Sequence, residues 1–490
     1  DGIIKGKTAI NGNLSAKEKG YEVITTEENE IETAILGNLP VAKIGEKEYY
    51  TFQEAFDACP SDGTETTVEV LRNCTTDMAN IIEENKNIVL DIQSYKIVSG
   101  IENLFTNNGK FKIVDSIGNG RIISAKGTIL KNEETGNFAI NNITMQMTGS
   151  SAIDETIENK GMLEVTGGVI ISDGLKNKCI NNIEQGTVKI TGGTVSAYTY
   201  AIYNTSSNKI EIEGGTVQAT YYYEGYSAIY NNTENGVVEI KGGLVTNQGK
   251  AIENKKGTIK VTGGEIRTTQ GDTRYSECGI YNNGKVIIED GKIAALYRGS
   301  GIQNEGGTIE ITGGTVSAPE WYNSIINRGT LEISGGTIKS NQKGIYNNST
   351  LKMTGGTVEV QEPNYTALEC GGGTATIEGG TIKYNNTGNT NYNTAAIIIT
   401  TNTATLTLGK EDGNVSTTNP EIIGSTYGIS NEGNGQFNFY DGIVKGILTA
   451  ISGNITRVED KYTLVGGTED NYQTTTLGFL ATDTMTACVN

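Results

Sequence analysis

Two pairs of glutamates are the residues best spaced for catalysis. Glu310 and Glu332, and likewise Glu211 and Glu239, hold matching places in successive copies of a short phrase. Glycoside hydrolysis needs two carboxylates about 5–9.5 Å apart, one able to carry a proton and the other charged. The same row also carries Lys189, Lys260 and Lys352. Interleaved signs of that kind are what a solvated face looks like. There is no histidine, so imidazole acid–base chemistry and imidazole ligation are excluded. No metal site and no cofactor are expected, and catalysis is not the expected function.

A second chemistry is aromatic. Tyr198, Tyr200, Tyr221, Tyr222, Tyr223, Tyr226, Trp321 and Tyr322 fall in or beside the variable insertions between copies. Tyrosine edges stack on sugar rings and anchor interfaces, so these eight residues are the candidate binding surface. Alternatively they pack the insertions onto the wall behind them. A third is redox: Cys59 and Cys74 flank a short loop and could bridge in an oxidising compartment.

The phrase that must position these groups is clearest at Gly301–Ala318, GIQNEGGTIEITGGTVSA. Thr308-Ile309-Glu310-Ile311 and Thr315-Val316-Ser317-Ala318 alternate apolar and polar residues, the signature of a half-buried strand. Gly313-Gly314 and the Asn304–Gly307 stretch supply the corners. Each copy therefore gives three short strands and two turns. The small opening residue recurs at 152, 179, 201, 228, 251, 279, 301, 324, 344, 367, 396, 428 and 450, with spacings from 20 (324 to 344) to 32 (396 to 428). A repeat of that length means a solenoid or a propeller. Three strands in about 20 residues are too few for a four-stranded blade of roughly 40. Length varies almost wholly at one corner, as it would in a spiral. The expected fold is all-β, a right-handed parallel β-helix of about 15 coils with a small helix-containing N-terminal cap.

Asn181, Asn204, Asn231, Asn254, Asn282, Asn304, Asn327 and Asn347 mark the first corner and are expected to stack as an amide ladder. The Thr after Gly-Gly should form an outer row. Cys179, Cys278 and Cys370, four coils apart, read as small buried residues. At the front, Thr51-Phe52-Gln53-Glu54 has capping-box spacing. Phe52, Ala55, Phe56 and Cys59 make one apolar helical face.

The sequence repeats on a second scale. Asp1–Val23 matches Asp441–Leu464 with one inserted residue, and 17 of the first 39 positions are identical. The expected organisation is 1–39, a tail equivalent to 441–480 that ends a preceding module; 40–100, an opening cap and first coils; 101–465, the helix body; and 466–490, a segment leading to the next module. A mature protein or a fragment, without signal peptide or wall-sorting tail, is expected. Net charge is −19, which argues against nucleic acid. No run approaches the ~20 apolar residues of a membrane helix, so no membrane insertion is expected.

Ala42-Lys43-Ile44-Gly45, then Tyr50–Ala58 (YTFQEAFDA), then Asn87–Ile92 (NIVLDI) resembles the opening of pectin-lyase-like right-handed β-helix proteins. The coils are most similar to those of repetitive surface proteins of Gram-positive bacteria. Gln93-Ser94-Tyr95 departs from the Asn-Gly-His turn of many relatives. The resemblance implies extracellular display at the cell surface and a part in adhesion or surface architecture. The expected function is a rod-like unit of a tandem array or head-to-tail filament whose partners are copies of itself. The alternatives are an adhesin that binds glycans or other cells through the Tyr edge, and a polysaccharide lyase or glycoside hydrolase.

Overall fold

The computed structural model describes residues 3–6, 21–28, 31–149, 155–174, 177–221, 226–269, 277–319, 322–362, 365–384 and 394–479, with side chains from residue 39 to 478. The strands make about 16 turns of parallel β-solenoid, distributed over two units, Asp1–Val188 and Lys189–Asn490.

Among the described residues of each unit, the coils repeat the three strands read from the sequence, and strands pair with their counterparts one coil on. In the second unit the first strands run Ser300–Asn304, Asn323–Asn327 and Lys343–Asn347. Ile302 lies opposite Ile325 and Ile325 opposite Ile345, all in parallel. Second strands stack the same way, Ile309 on Leu331 on Leu351, and third strands Val316 on Ile338 on Val358. The first unit stacks Val68, Leu90, Ile113, Ile140 and Val165 in register.

Alternation explains which side chains enter. Ile309, Ile311 and Val316 are at most 1% exposed, whereas Thr308, Glu310, Thr315 and Ser317 point out and remain half-buried. Each inward Ile or Val contributes about 1.5–3 kcal/mol by leaving water, and it does so only against the coils above and below. The corners need glycine for two reasons. Gly314 has φ +70°, and a Cβ on Gly313 would fall on the carbonyl oxygen of Glu289 in the preceding coil. The small opening residue has a similar cause: a Cβ on Gly279 would stand 2.8 Å from the carbonyl oxygen of Gly301 and 2.8 Å from Ile293 Cγ2. The Thr row after Gly-Gly is in register as expected, Thr315, Thr337, Thr357 and Thr381.

An amide ladder runs unbroken over part of each unit. Asn107, Asn132, Asn159 and Asn182 pass one Nδ2–H to the next Oδ1 at 2.7–2.8 Å. Asn204, Asn231, Asn254, Asn282, Asn304, Asn327 and Asn347 do so at 2.8–2.9 Å. One expected member is corrected. Asn181 faces outward opposite Glu158, and its neighbour Asn182 takes the rung opposite Asn159. In the coil after Asn347 the rung is Cys370. Cys179, Cys278 and Cys370 are at most 1% exposed.

A cap closes the first coil. Ala42–Ile44 pairs antiparallel with Lys47–Tyr49 and with the strand Glu65–Val70. Helix α1, Phe52–Ala58, starts on the capping box Thr51/Glu54 and buries Phe52, Ala55 and Phe56. The Phe56 ring lies 6.2 Å from Phe105 and 5.8 Å from Phe111. At the helix C-terminus the Lys86 ammonium donates to the carbonyls of Phe56, Asp57 and Cys59 at 2.8–2.9 Å. That cation satisfies orphan carbonyls at the negative end of the helix dipole.

The other end of the solenoid differs from the sequence reading. Coil-like parallel pairing stops at Arg457–Val458 instead of running to Val465. From Tyr462 the chain makes an antiparallel hairpin, Tyr462–Glu469 with Tyr472–Phe479. Its second strand adds antiparallel to Ile443–Gly446, the third strand of the last coil.

Candidate functional site

The solenoid brings four of the eight candidate aromatics together. Tyr198 and Tyr221 follow third strands of adjacent coils and lie 4.7 Å apart, centroid to centroid. Tyr226 is 5.4 Å from Tyr221 and 5.3 Å from Tyr200. Tyr322 precedes the strand Asn323–Asn327, well along the stack from this group. Tyr222, Tyr223 and Trp321 lie outside the described residues.

The cluster continues into residues that the sequence reading left out. Tyr203 and Tyr230 are stacked at 4.8 Å with 14° between planes, and Tyr200 meets both edge-on. They sit inside first strands, on the outward position just before the Asn rung, where Tyr203, Tyr230, Glu253 and Tyr281 follow one another in register. Glu253 is only 2% exposed. Its carboxylate meets Lys255 at 2.8 Å and Lys250 at 3.4 Å, and the Lys250 ammonium lies 4.2 Å from the Tyr281 ring centroid. Burial, then the Glu253 charge, raises the Tyr200 phenol. Burial, then Tyr203 and Glu253, does the same at Tyr230. These phenols stay neutral at physiological pH. The patch is a self-packed aromatic and ionic ladder, and its outer rim presents half-buried tyrosines of the sort that stack on sugars.

The glutamate pairs are also adjacent: Glu211 lies opposite Glu239, and Glu310 opposite Glu332. Lysines bind both members of the first pair. Lys209 reaches both Glu211 and Glu239, and Lys241 reaches both as well. Hydrogen bonds from Lys241 and then Lys209 pull Glu211 down to about 2. A general acid needs the opposite shift. Lys285 meets Glu310 at 2.7 Å. The charged face is a lattice of exposed ion pairs, each worth about 0–1 kcal/mol.

Cys59 and Cys74 do not bridge; both are free thiols. Each is fixed in a different element. Cys59 Sγ donates to Ala55 O at 3.3 Å within the helix cap, and Cys74 pairs with Ile97 in the third-strand stack. Burial raises both thiols, Cys74 to about 11.

The strongest site-like feature is the pairing at the two sequence extremes. Ile3–Gly6 pairs antiparallel with Ile31–Asn38, Ile4 opposite Ala34 and Gly6 opposite Glu32. Tyr21–Glu28 flanks the other side of Ile31–Asn38. Ile443–Gly446, Tyr472–Phe479 and Tyr462–Glu469 form the same sheet: Val444 lies opposite Thr475, Gly446 opposite Gln473, and Tyr462 opposite Phe479. Adding 440 to Ile4 and 441 to Ala34 gives Val444 and Thr475, so the registers coincide. The sequence repeat is a structural repeat, strand for strand.

No family model, curated protein or solved structure matches the chain. The β-solenoid architecture therefore rests on the strand pairing itself.

Proposed function

We propose that this chain is a non-catalytic structural segment, one β-solenoid unit of a tandem array or head-to-tail filament at a bacterial cell surface. One observation carries the reading. The same three-stranded sheet, in the same register, occurs at both sequence extremes, once with a solenoid body before it and once with a body after it. A terminator that is also a beginning suits a chain of like units. The closed apolar core and the amide ladders support stiffness, because each coil is fixed by both neighbours. The pectin-lyase-like resemblance of Ala42–Ile92 agrees with extracellular display. Sedimentation of the 490-residue chain over a wide concentration range tests the reading. Masses that climb in steps of 52.2 kDa are expected, and a constant monomer mass would overturn it.

A second reading is favoured by the half-buried rim of the tyrosine patch: adhesion to glycans. Tyr198, Tyr200, Tyr221 and Tyr226 would then form the stacking surface. Retention on immobilised polysaccharide that disappears in Tyr221→Ala/Tyr226→Ala would support this reading over the first.

A further inference from the structure

The C-terminal hairpin leaves a strand edge open. Asp470 and Asn471 both have positive φ, 45° and 72°, which defines a type I′ two-residue turn. Such a turn makes Glu469 and Tyr472 a hydrogen-bonded pair, and bonding then alternates along the ladder. Gly467, Val465 and Thr463 bond inward to Tyr472–Phe479. Thr468, Gly466 and Leu464 turn their N–H and C=O groups the other way, where no strand lies among the described residues. Leu464 and Val465 are 42% and 45% exposed. Between Tyr462 and Thr468 there is no lysine, proline or bulge of the kind that protects an edge.

The N-terminal sheet has the complementary gap. Ile443–Gly446 has two neighbours, Tyr472–Phe479 on one side and the parallel strand Glu421–Ile423 on the other. Ile3–Gly6, its equivalent, has only Ile31–Asn38 among the described residues. By the same alternation, the backbone groups of Ile4 and Gly6 bond to Ala34 and Glu32, while the backbone N–H and C=O of Lys5 turn to the open side.

We propose that copies join by strand addition, the edge Tyr462–Glu469 of one chain pairing with Ile3–Gly6 of the next. This rests on the head-to-tail reading above and specifies its joint. Backbone groups on both edges find partners, and the sheet becomes continuous across the joint. Charge selects this edge over the alternative in the same sheet. Ile3–Gly6 carries only Lys5 and brings no like charge to the edge, where Glu469 already meets Lys445 of its own chain at 3.0 Å, whereas Tyr21–Glu28 would bring Glu22, Glu27 and Glu28.

Proline at an outward position removes one donor and leaves the hairpin's own bonds intact. Leu464→Pro and Lys5→Pro, each in the full 490-residue chain with circular dichroism checked against the parent, therefore block opposite ends. Thr468→Pro serves in place of Leu464→Pro if the latter disturbs the hairpin. Sedimentation should show association weakened at least tenfold in either variant alone. A mixture should restore pairing and stop at dimers, because the open Tyr462–Glu469 edge of Lys5→Pro meets the open Ile3–Gly6 edge of Leu464→Pro. If the parent associates and both variants associate equally well, the joint lies elsewhere and only this proposal fails. If Lys5→Pro still associates alone while Leu464→Pro does not, Tyr462–Glu469 pairs with itself and this proposal again fails. A parent chain that never associates overturns the head-to-tail reading as well.

Discussion

Replacing Asn304 by alanine tests the ladder that makes the coils rigid. Asn304 is 0% exposed. Its amide donates to Asn327 Oδ1 at 2.9 Å, Gly307 O at 2.9 Å and Thr330 O at 3.2 Å, and accepts from Asn282 Nδ2 at 2.9 Å. Alanine removes all four. The partners keep other bonds: Asn327 Oδ1 still accepts from the Gly329 amide, and Asn282 Nδ2 still reaches Gly284 O. The loss is therefore close to the net value of each bond, about 0.5–1.5 kcal/mol, rather than the larger cost of stranded groups. Four bonds at that value give about 2–6 kcal/mol. A solenoid confines such damage to adjacent coils, so the assay is hydrogen exchange resolved by strand. Amides in Cys278–Asn282, Ser300–Asn304 and Asn323–Asn327 should exchange on the order of 10²–10³ times faster, while Tyr427–Asn431 remains unchanged. Exchange within threefold of the parent at Ser300–Asn304, or equal acceleration at Tyr427–Asn431, would refute the reasoning. Thr308→Ala, on the outward side, is the control and should change little.

Two other perturbations follow from the same packing. Gly344→Val places a Cβ on the carbonyl oxygen of Ala367 in the next coil; overpacking of this type costs about 1–3 kcal/mol, visible as a lowered urea midpoint, and an unchanged midpoint would show that the small row is not required. Glu155 is raised to about 7 by burial and then by Glu158, with Asn181 and Lys178 opposing. A carboxyl held protonated in the fold stabilises below its unfolded value near 4.5, and that contribution is lost as pH rises to about 7. Protection of Glu155–Asn159 and Lys178–Asn182, corrected for intrinsic rates, should fall from pH 5 to pH 8 and become flat in Glu155→Gln; a flat parent profile would contradict the assignment.

Much of this architecture was legible because it repeats. Period-two alternation placed Ile309, Ile311 and Val316 inside, and Gly313-Gly314 at a corner where a Cβ would meet the coil before it. Thr51 and Glu54 announced the helix by spacing alone. The misses are local. Asn181-Asn182 offers two amides to one rung, and only the register to Asn159 decides between them. Asn107, Asn132 and Asn159 precede phrases that have drifted from the consensus, so their ladder went unread. Tyr203, Tyr230 and Tyr281 lie within first strands rather than in the insertions, and their signal is the recurrence of AIYN and GIYN, which sets a tyrosine at one outward position, interrupted by Glu253. The terminal hairpin had a signal too. Asp470-Asn471 between two eight-residue runs is a two-residue turn, but the solenoid pattern before it invited continuation. Cys59 and Cys74 are near in sequence, and sequence proximity does not report that a helix cap and a strand hold them separately.

Electron microscopy of assemblies bearing one gold label per chain, on a tag at the N-terminus, tests the central claim most directly. The account predicts unbranched fibres with labels at a single regular interval, one per unit and all facing the same way along the fibre. Single rods, or labels meeting in pairs at every second joint, would contradict it.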